Sequence, residues 1–384
     1  MPGLFDATTV AFMTLSNRFM RSATWEGMAG EDGSVTPQLL RTMVDLAKGG
    51  VGLIISGHAS VSREGQAGQK QLAVFSDELV AGLAAMVKAV HAAGGKMALQ
   101  LAHAGDQANT KLSGLHAVGP VARGTGSAAT GAGTLSSDGQ LPCHGLDQAG
   151  IETLIKAFAR AAVRAKDAGF DAVQVHAAHG YLMHQFLSPV WNTRTDLYGG
   201  TIENRARLLL RVVRAVREAV GPKYPVLAKI DSEDFIPGGF SFEDAATVAV
   251  WLQEASVDAL ELSGGCRQAG ENLMAARKGK IRIPDGEVYY REAAKRIKSR
   301  LSIPLILVGG IRSFEVANGL VESGVADYIS LARPLICEPD LVNRWRNGDR
   351  SPALCVSDNA CYGPAYAGEG IRCVTFEKRR ARAS

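Results

Sequence analysis

Eight short apolar runs alternate strictly with eight amphipathic segments between residues 17 and about 348, and nothing else in the chain restricts its folding as much. The runs cover 17–23, 52–58, 96–101, 172–176, 225–230, 259–264, 304–309 and 328–333. They read as strands covered on both faces, since they are short and nearly continuous in apolar character. The segments between them cover 38–48, 77–93, 147–168, 202–220, 242–255, 288–299, 313–323 and 339–347. In 202–220, Leu208, Leu209, Val212, Val213 and Val216 recur at the helical period. Strict βα alternation repeated eight times predicts an α/β fold, a (β/α)8 TIM barrel.

A bare barrel needs about 250 residues, so this chain of 384 has room for additions. One is the interruption 102–146 after the third strand, which contains GTGSAATGAGTLSSDG. Its Gly, Ser, Ala and Thr suit a mobile loop and not a packed element. Its place at the C-terminal mouth makes it a lid or substrate wall; a tolerated surface insertion is the alternative. The other addition is a C-terminal extension, 351–384, beside a barrel domain spanning 1–350. Lys and Arg number 42 against 38 Asp and Glu, a dispersed net charge of +4 that gives no footprint for nucleic acid. No apolar run approaches the roughly 18 residues of a membrane helix. MPGLFDATTV lacks the basic flank and apolar stretch of a signal peptide. The six cysteines fit reduced thiols, and the expectation is a cytoplasmic protein with no membrane partner, compatible with a homo-oligomer.

In such barrels the residues just past each strand converge on one pocket. Here these are Ser22, Ala23, Thr24 and Trp25; His58; Gln100 and His103; His176, His179 and Tyr181; Lys229; Glu261 and Ser263; Gly309 and Gly310; and Ala332 and Arg333. The glycines after strand seven run into a helix, and Arg333 follows strand eight, an arrangement suited to a phosphate group. His176 and His179 have the spacing of a metal pair, but no third ligand with convincing spacing accompanies them, so no metal is expected. Two neutral imidazoles can instead hydrogen-bond one substrate oxygen, with the phenol of Tyr181 supplying a proton.

The stretch HAAHGYLMHQFLSPVWNTRTDLYGGTIENR (176–205) resembles the Old Yellow Enzyme family of FMN-dependent ene-reductases. So do NRFMRSAT (17–24), GGVGLIISGHASVSREG (49–65), QLAHAG (100–105), VGGI (308–311) and SLARPL (330–335). The likeness is greatest to the bacterial branch related to the flavin-barrel domain of 2,4-dienoyl-CoA reductase and trimethylamine dehydrogenase. It implies FMN as cofactor and NADH or NADPH as reductant. Gln100 would meet the pyrimidine edge of the flavin, Ala23 and Thr24 its face, and Gly310 and Arg333 its phosphate. His176 and His179 would bind the activating oxygen of an alkene substrate, and Tyr181 would be the proton donor.

Four positions depart from the family pattern. Lys229 stands where relatives place an Arg near flavin N1, giving a point charge without a planar fork. Trp25 replaces a Cys or Thr, so a polar flavin contact there would come from the backbone. His58 replaces a small or aromatic residue; it either projects into the pocket or offers only its backbone to the flavin. Asp106 follows QLAHAG where relatives carry Arg. The extension keeps Cys355, Cys361 and Cys373 of a cluster-binding segment but has Asp358 at the second cysteine position. Clusters of the [4Fe–4S] type take four thiolates, so the extension reads as a cluster-free remnant. The leading expectation is hydride transfer from NAD(P)H through FMN to the C=C bond of an α,β-unsaturated carbonyl or nitro compound. The alternative within the resemblance is a flavin-dependent amine or dienoyl-thioester oxidoreductase or isomerase. Outside it stand a flavin-free phosphosugar lyase or isomerase, opposed by HAAHGY and Gln100, and a non-catalytic flavin carrier, opposed by Tyr181.

Overall fold

In the computed structural model, which describes residues 3–123, 141–279 and 286–383, the eight runs form parallel strands that close on themselves. They are β1 (Phe19–Arg21), β2 (Leu53–Ile55), β3 (Met97–Ala102), β4 (Ala172–Ala177), β5 (Val226–Asp231), β6 (Ala259–Ser263), β7 (Leu305–Leu307) and β8 (Tyr328–Leu331). Closure is made by β8 against β1, where Ile329 pairs with Phe19. Around them lie α1 (Pro37–Lys48), α2 (Val80–Ala92), α3 (Gln148–Asp167), α4 (Ile202–Val220), α5 (Phe242–Glu254), α6 (Arg291–Lys298), α7 (Phe314–Glu322) and α8 (Leu341–Arg346). The expected (β/α)8 barrel is the observed fold.

Side chains alternate between the two faces of each strand. Leu99, Leu101, Val173, Val175, Ala228, Ile230, Leu260 and Leu262 belong to the outer core under the helices. Ala98, Ala172, Leu227 and Ala259, one residue out of phase, belong to the inner one with Met20, Leu53, Ile306 and Tyr328. The sequence reading missed an antiparallel hairpin, Thr8–Val10 with Met13–Leu15. Its Val10, Met13 and Leu15 are buried in the inner core and plug the lower end of the barrel.

Several boundaries differ from expectation for local reasons. The run 52–58 is interrupted after Ile55, because Gly57 N–H donates to the Glu26 carboxylate (2.9 Å) instead of a neighbouring strand. A separate two-residue strand, Ala59–Ser60, pairs with the end of β3. The segment 288–299 becomes helical only at Arg291, since Val288 has a φ of +62° and Tyr289 N–H bonds to Gly309 O (3.1 Å). The expectation of an unpacked 102–146 is corrected for its described parts. A turn at Gly105–Gln107, a helical turn at Thr110–Ser113 and paired strands Val118–Gly119 and His144–Gly145 are built there. Ala104, Ala108, Ala117 and Cys143 form a small buried cluster beneath them. The Gly/Ser-rich run, at 124–139, lies outside the described residues.

Candidate active site

Directly above the apolar inner layer comes a polar one, reached by moving two residues up six of the eight strands; on β2 and β7 the same step reaches Ile55 and Val308. Gln100 Nε2 donates to Gln174 Oε1 (2.7 Å), and Gln174 Nε2 donates to Glu261 Oε2 (2.8 Å). Ser22 and Ser330 hydroxyls both donate to Glu261 Oε1, at 2.7 and 2.9 Å. Lys229 Nζ donates to Ser22 Oγ (2.8 Å) and lies 3.4 Å from Glu261. Glu261 is fully enclosed and Lys229 nearly so. A buried charge is tolerated only when paired and hydrogen-bonded, and this layer supplies both conditions. Lys229, Gln100 and Ser22 form part of the floor of a cavity of about 1200 Å³ at the barrel mouth. Sequence reasoning named Gln100, Lys229 and Glu261 but not Gln174, which lies level with Gln100 and joins it to Glu261. Its inward phase on β4 was the available signal.

The wall over this floor comes from the turn after β4. The rings of His176 and His179 stand 5.4 Å apart, and that of Tyr181 lies 5.1 Å from His176. His179 adopts a φ of +62°, a region most residues avoid, and its N–H donates to the buried Asp231 Oδ2 (2.7 Å). The turn is held further by Gly180 N–H donating to His184 Nδ1 (2.8 Å). His179 Nε2 meets Ser263 Oγ at 2.8 Å, whereas His176 Nδ1 is enclosed with no protein partner. Burial, and secondarily the neighbouring cationic groups, push both imidazoles well below their usual range, so they are neutral. Burial pushes the Tyr181 phenol upward, so it keeps its proton. His58 is among the residues lining the cavity, and its ring lies 5.3 Å from the Tyr181 ring. Its backbone oxygen accepts from Gln71 Nε2 (3.0 Å). Asp106 also lines the cavity; burial raises its carboxyl to about 6, and it accepts from Gln185 Nε2 (2.6 Å).

The opposite end of the cavity is formed by Gly309, Gly310, Ala332 and Arg333. Gly310 has a φ of +77°, and a Cβ there would stand 2.6 Å from the Tyr289 ring. Arg333 donates to Arg277 O (2.8 Å) and Asn359 Oδ1 (2.7 Å), linking the loop after β6 to the extension. Ala23, Thr24 and Trp25 run along the floor between the two ends. Trp25 Nε1 is enclosed with no partner, and its ring lies 5.3 Å from that of Tyr366. Tyr362 and Tyr366 of the extension thus join the wall, a contribution the sequence reading did not anticipate. His103 turns away from the cavity, its Nδ1 accepting from Gly105 N–H (3.0 Å). Among the described residues no group of three or more His, Cys, Asp or Glu side chains is arranged to hold a metal ion.

The sequence matches the family model described as NADH:flavin oxidoreductase / NADH oxidase family over residues 3–351. It is 34% identical over 373 residues to an NADH oxidase of Thermoanaerobacter brockii, covering 94% of this chain and 54% of that protein. The chain thus spans about half the length of that relative. It is also 34% identical over 337 residues to an NADPH dehydrogenase of Bacillus cytotoxicus, covering 88% of this chain and 90% of that protein. Among solved structures, an old yellow enzyme homologue from Zymomonas mobilis superposes with a TM-score of 0.77 at 28% identity, covering 95% of this chain and 98% of that one. A model match over residues 3–351, which hold the barrel and the floor of its cavity, places this chain in the NADH:flavin oxidoreductase / NADH oxidase family.

Proposed function

We propose that this protein is an ene-reductase, taking reducing equivalents from NADH or NADPH and delivering them to the C=C bond of an α,β-unsaturated carbonyl or nitro compound. Family membership brings FMN as the cofactor. The residues fit it. Gly310, at a φ of +77°, and the Arg333 guanidinium line one end of the cavity, and the enclosed Lys229 offers a cation on the floor. One N–H of the Gln100 amide is taken by Gln174, which leaves its carbonyl oxygen for a ring N–H donor. Gly309, Gly310, Ala332 and Arg333 would hold the phosphate, Gln100 and Lys229 the pyrimidine edge, and Ser22, Ala23, Thr24 and Trp25 would underlie the ring. Bound FMN would accept hydride from the nicotinamide and return it to the β-carbon of the alkene.

The observation that carries the reading is the neutral cluster His176, His179 and Tyr181 facing the cavity above Lys229. Neutral imidazoles keep one N–H each, and aimed at a carbonyl oxygen they stabilise the negative charge that gathers there. A phenol held protonated is suited to deliver its proton to the α-carbon. The test is anaerobic. The FMN-loaded protein is reduced with NADH or NADPH, then mixed with 2-cyclohexenone or nitrostyrene while flavin reoxidation is followed. Reoxidation with formation of the saturated product is expected. His176→Ala or His179→Ala should slow that step by roughly 10²–10³. Absence of flavin binding after reconstitution, or a reduced flavin that no enone or nitroalkene reoxidises, overturns the assignment.

A further inference from the structure

His58 lies with its ring against the proton donor of the proposed reaction. Among the described residues the Tyr181 hydroxyl has one hydrogen-bond partner, His58 Nε2, at 3.3 Å. The two rings are tilted by 43° with centroids 5.3 Å apart, and the His58 ring is 6.4 Å from that of His176. Resting on the ene-reductase reading, we propose that His58 is a positioning residue for Tyr181, its Nε2–H donating to the phenol oxygen. That bond leaves the phenol's own proton free for a substrate in the cavity. When this proton passes to the α-carbon of substrate, the same Nε2–H stabilises the phenolate left behind. Water then restores the phenol proton for the next turnover.

Three observations support the direction of the bond. Burial lowers His58 to about 4, so the imidazole is neutral and carries a single N–H. The alternative, a phenol donating to a bare Nε2, would commit the phenol proton to His58 instead of leaving it for a substrate in the cavity that both residues line. Burial also opposes the phenolate, as the upward shift of Tyr181 shows, so a donor at its oxygen acts where the charge appears. Hydrogen bonds to a charged oxygen are about twice as strong as neutral ones. The donation therefore strengthens as the proton leaves.

Two measurements test this. In FMN-loaded protein carrying ¹⁵N-labelled histidine, the His58 resonances are assigned by their loss in His58→Gln. A neutral ring with the proton on Nε2 is expected, with an Nε2 shift that changes in Tyr181→Phe. A proton on Nδ1, or a ring insensitive to Tyr181→Phe, overturns the proposal, and this readout requires no turnover. In stopped-flow work, His58→Leu should slow enone reduction roughly 10- to 100-fold, and by at least ten times more than it slows flavin reduction. His58→Gln, which retains an N–H donor, should recover most of the rate. In a Tyr181→Phe background, His58→Leu should cost nothing further. An equal loss in both backgrounds would mean that His58 acts on something other than the phenol. A holoprotein that reduces no enone, yet shows the Nε2–H tautomer responding to Tyr181, sinks the ene-reductase reading and leaves the contact standing.

Discussion

Glu261 is the side chain on which the polar floor converges, and its value depends on partners far away in sequence. It accepts from Ser22, 239 residues distant, and from Gln174, 87 distant. Glu261→Gln would leave Lys229 enclosed without its countercharge, and removing one partner of a buried pair typically costs about 3–5 kcal/mol. Urea unfolding should show a loss of that size in unfolding free energy, and FMN retention should fall with it. Had Glu261 been only a filler of volume, the near-isosteric change would be almost silent. His58 gives a prediction of a different kind. Its folded pKa, about 4, lies below the ordinary 6.5, so the unfolded chain binds the proton more readily. A depressed value contributes stability that is present above pH 6.5 and is lost as pH falls toward 4. The loss reaches about 2 kcal/mol by pH 5 for a shift of this size. His58→Gln removes that titration, so its stability relative to the parent should rise by this amount between pH 7.5 and pH 5. Denaturant midpoints for both proteins at the two pH values check it; a constant difference rejects a neutral, buried His58. Gln100, His176, His179, Tyr181 and Lys229 were legible as residues at strand ends, because a barrel sends those positions to one mouth. The bonds of Glu261 and the Tyr181 partner of His58 were not, since they depend on which side chains meet across the barrel.

At the scale of elements, the alternation of runs and helical segments was enough to read the barrel, because each strand here is covered on both faces. What escaped were the places where one backbone group departs from the regular pattern. Glu26 captures the Gly57 N–H, and a left-handed Val288 delays α6. Neither has a signature in hydrophobic period. The hairpin that plugs the barrel escaped for another reason: its strands are three residues each, too short for a period to register. The glycines of the turn from β7 to α7 were read only as suited to a phosphate group, and the structure adds a backbone requirement at Gly310. Its φ of +77° disfavours any side chain, and an added Cβ would meet the Tyr289 ring at 2.6 Å. Gly310→Ala should therefore strain this turn by about 1–3 kcal/mol and push Tyr289 toward Arg333, whose Nη2 lies 3.4 Å from the Tyr289 hydroxyl. FMN affinity should fall by at least 10-fold, read from flavin fluorescence on dilution, while far-UV circular dichroism stays unchanged. Unaltered affinity would remove the β7–α7 turn from phosphate binding.

At the scale of the whole molecule, the extension is fastened to the first third of the chain and to the mouth at once. Gln69 Nε2 donates to Tyr366 O (2.8 Å), Lys70 Nζ to Gly368 O (2.5 Å) and Gln38 Nε2 to Glu369 O (2.9 Å). Ile371 N–H donates to Glu26 O (2.8 Å), so the residue that holds Gly57 also anchors the extension. The sequence reading treated 351–384 as the relic of a cluster segment, because cysteine spacing was its visible pattern. Its contacts with residues about 300 positions earlier had no local signal. Tyr362 and Tyr366 close one side of the cavity, and Asn359 holds the Arg333 guanidinium at 2.7 Å. If the extension walls the FMN site, removing it should leave a folded barrel that binds FMN poorly. A chain ending at Ser351 should keep its helical circular dichroism, lose at least 10-fold in FMN affinity and expose its flavin to iodide quenching. Truncation also uncovers apolar surface, so Asn359→Ala in the full chain separates that effect from the loss of the Arg333 contact. It should weaken FMN binding several-fold, consistent with one charge-assisted hydrogen bond, while the FMN-free protein loses only about 1–2 kcal/mol through the Ala276 O bond and the φ of +60° at this position. Parental affinity in both variants would return the extension to the status of a relic and leave Arg333 to the β6 loop alone.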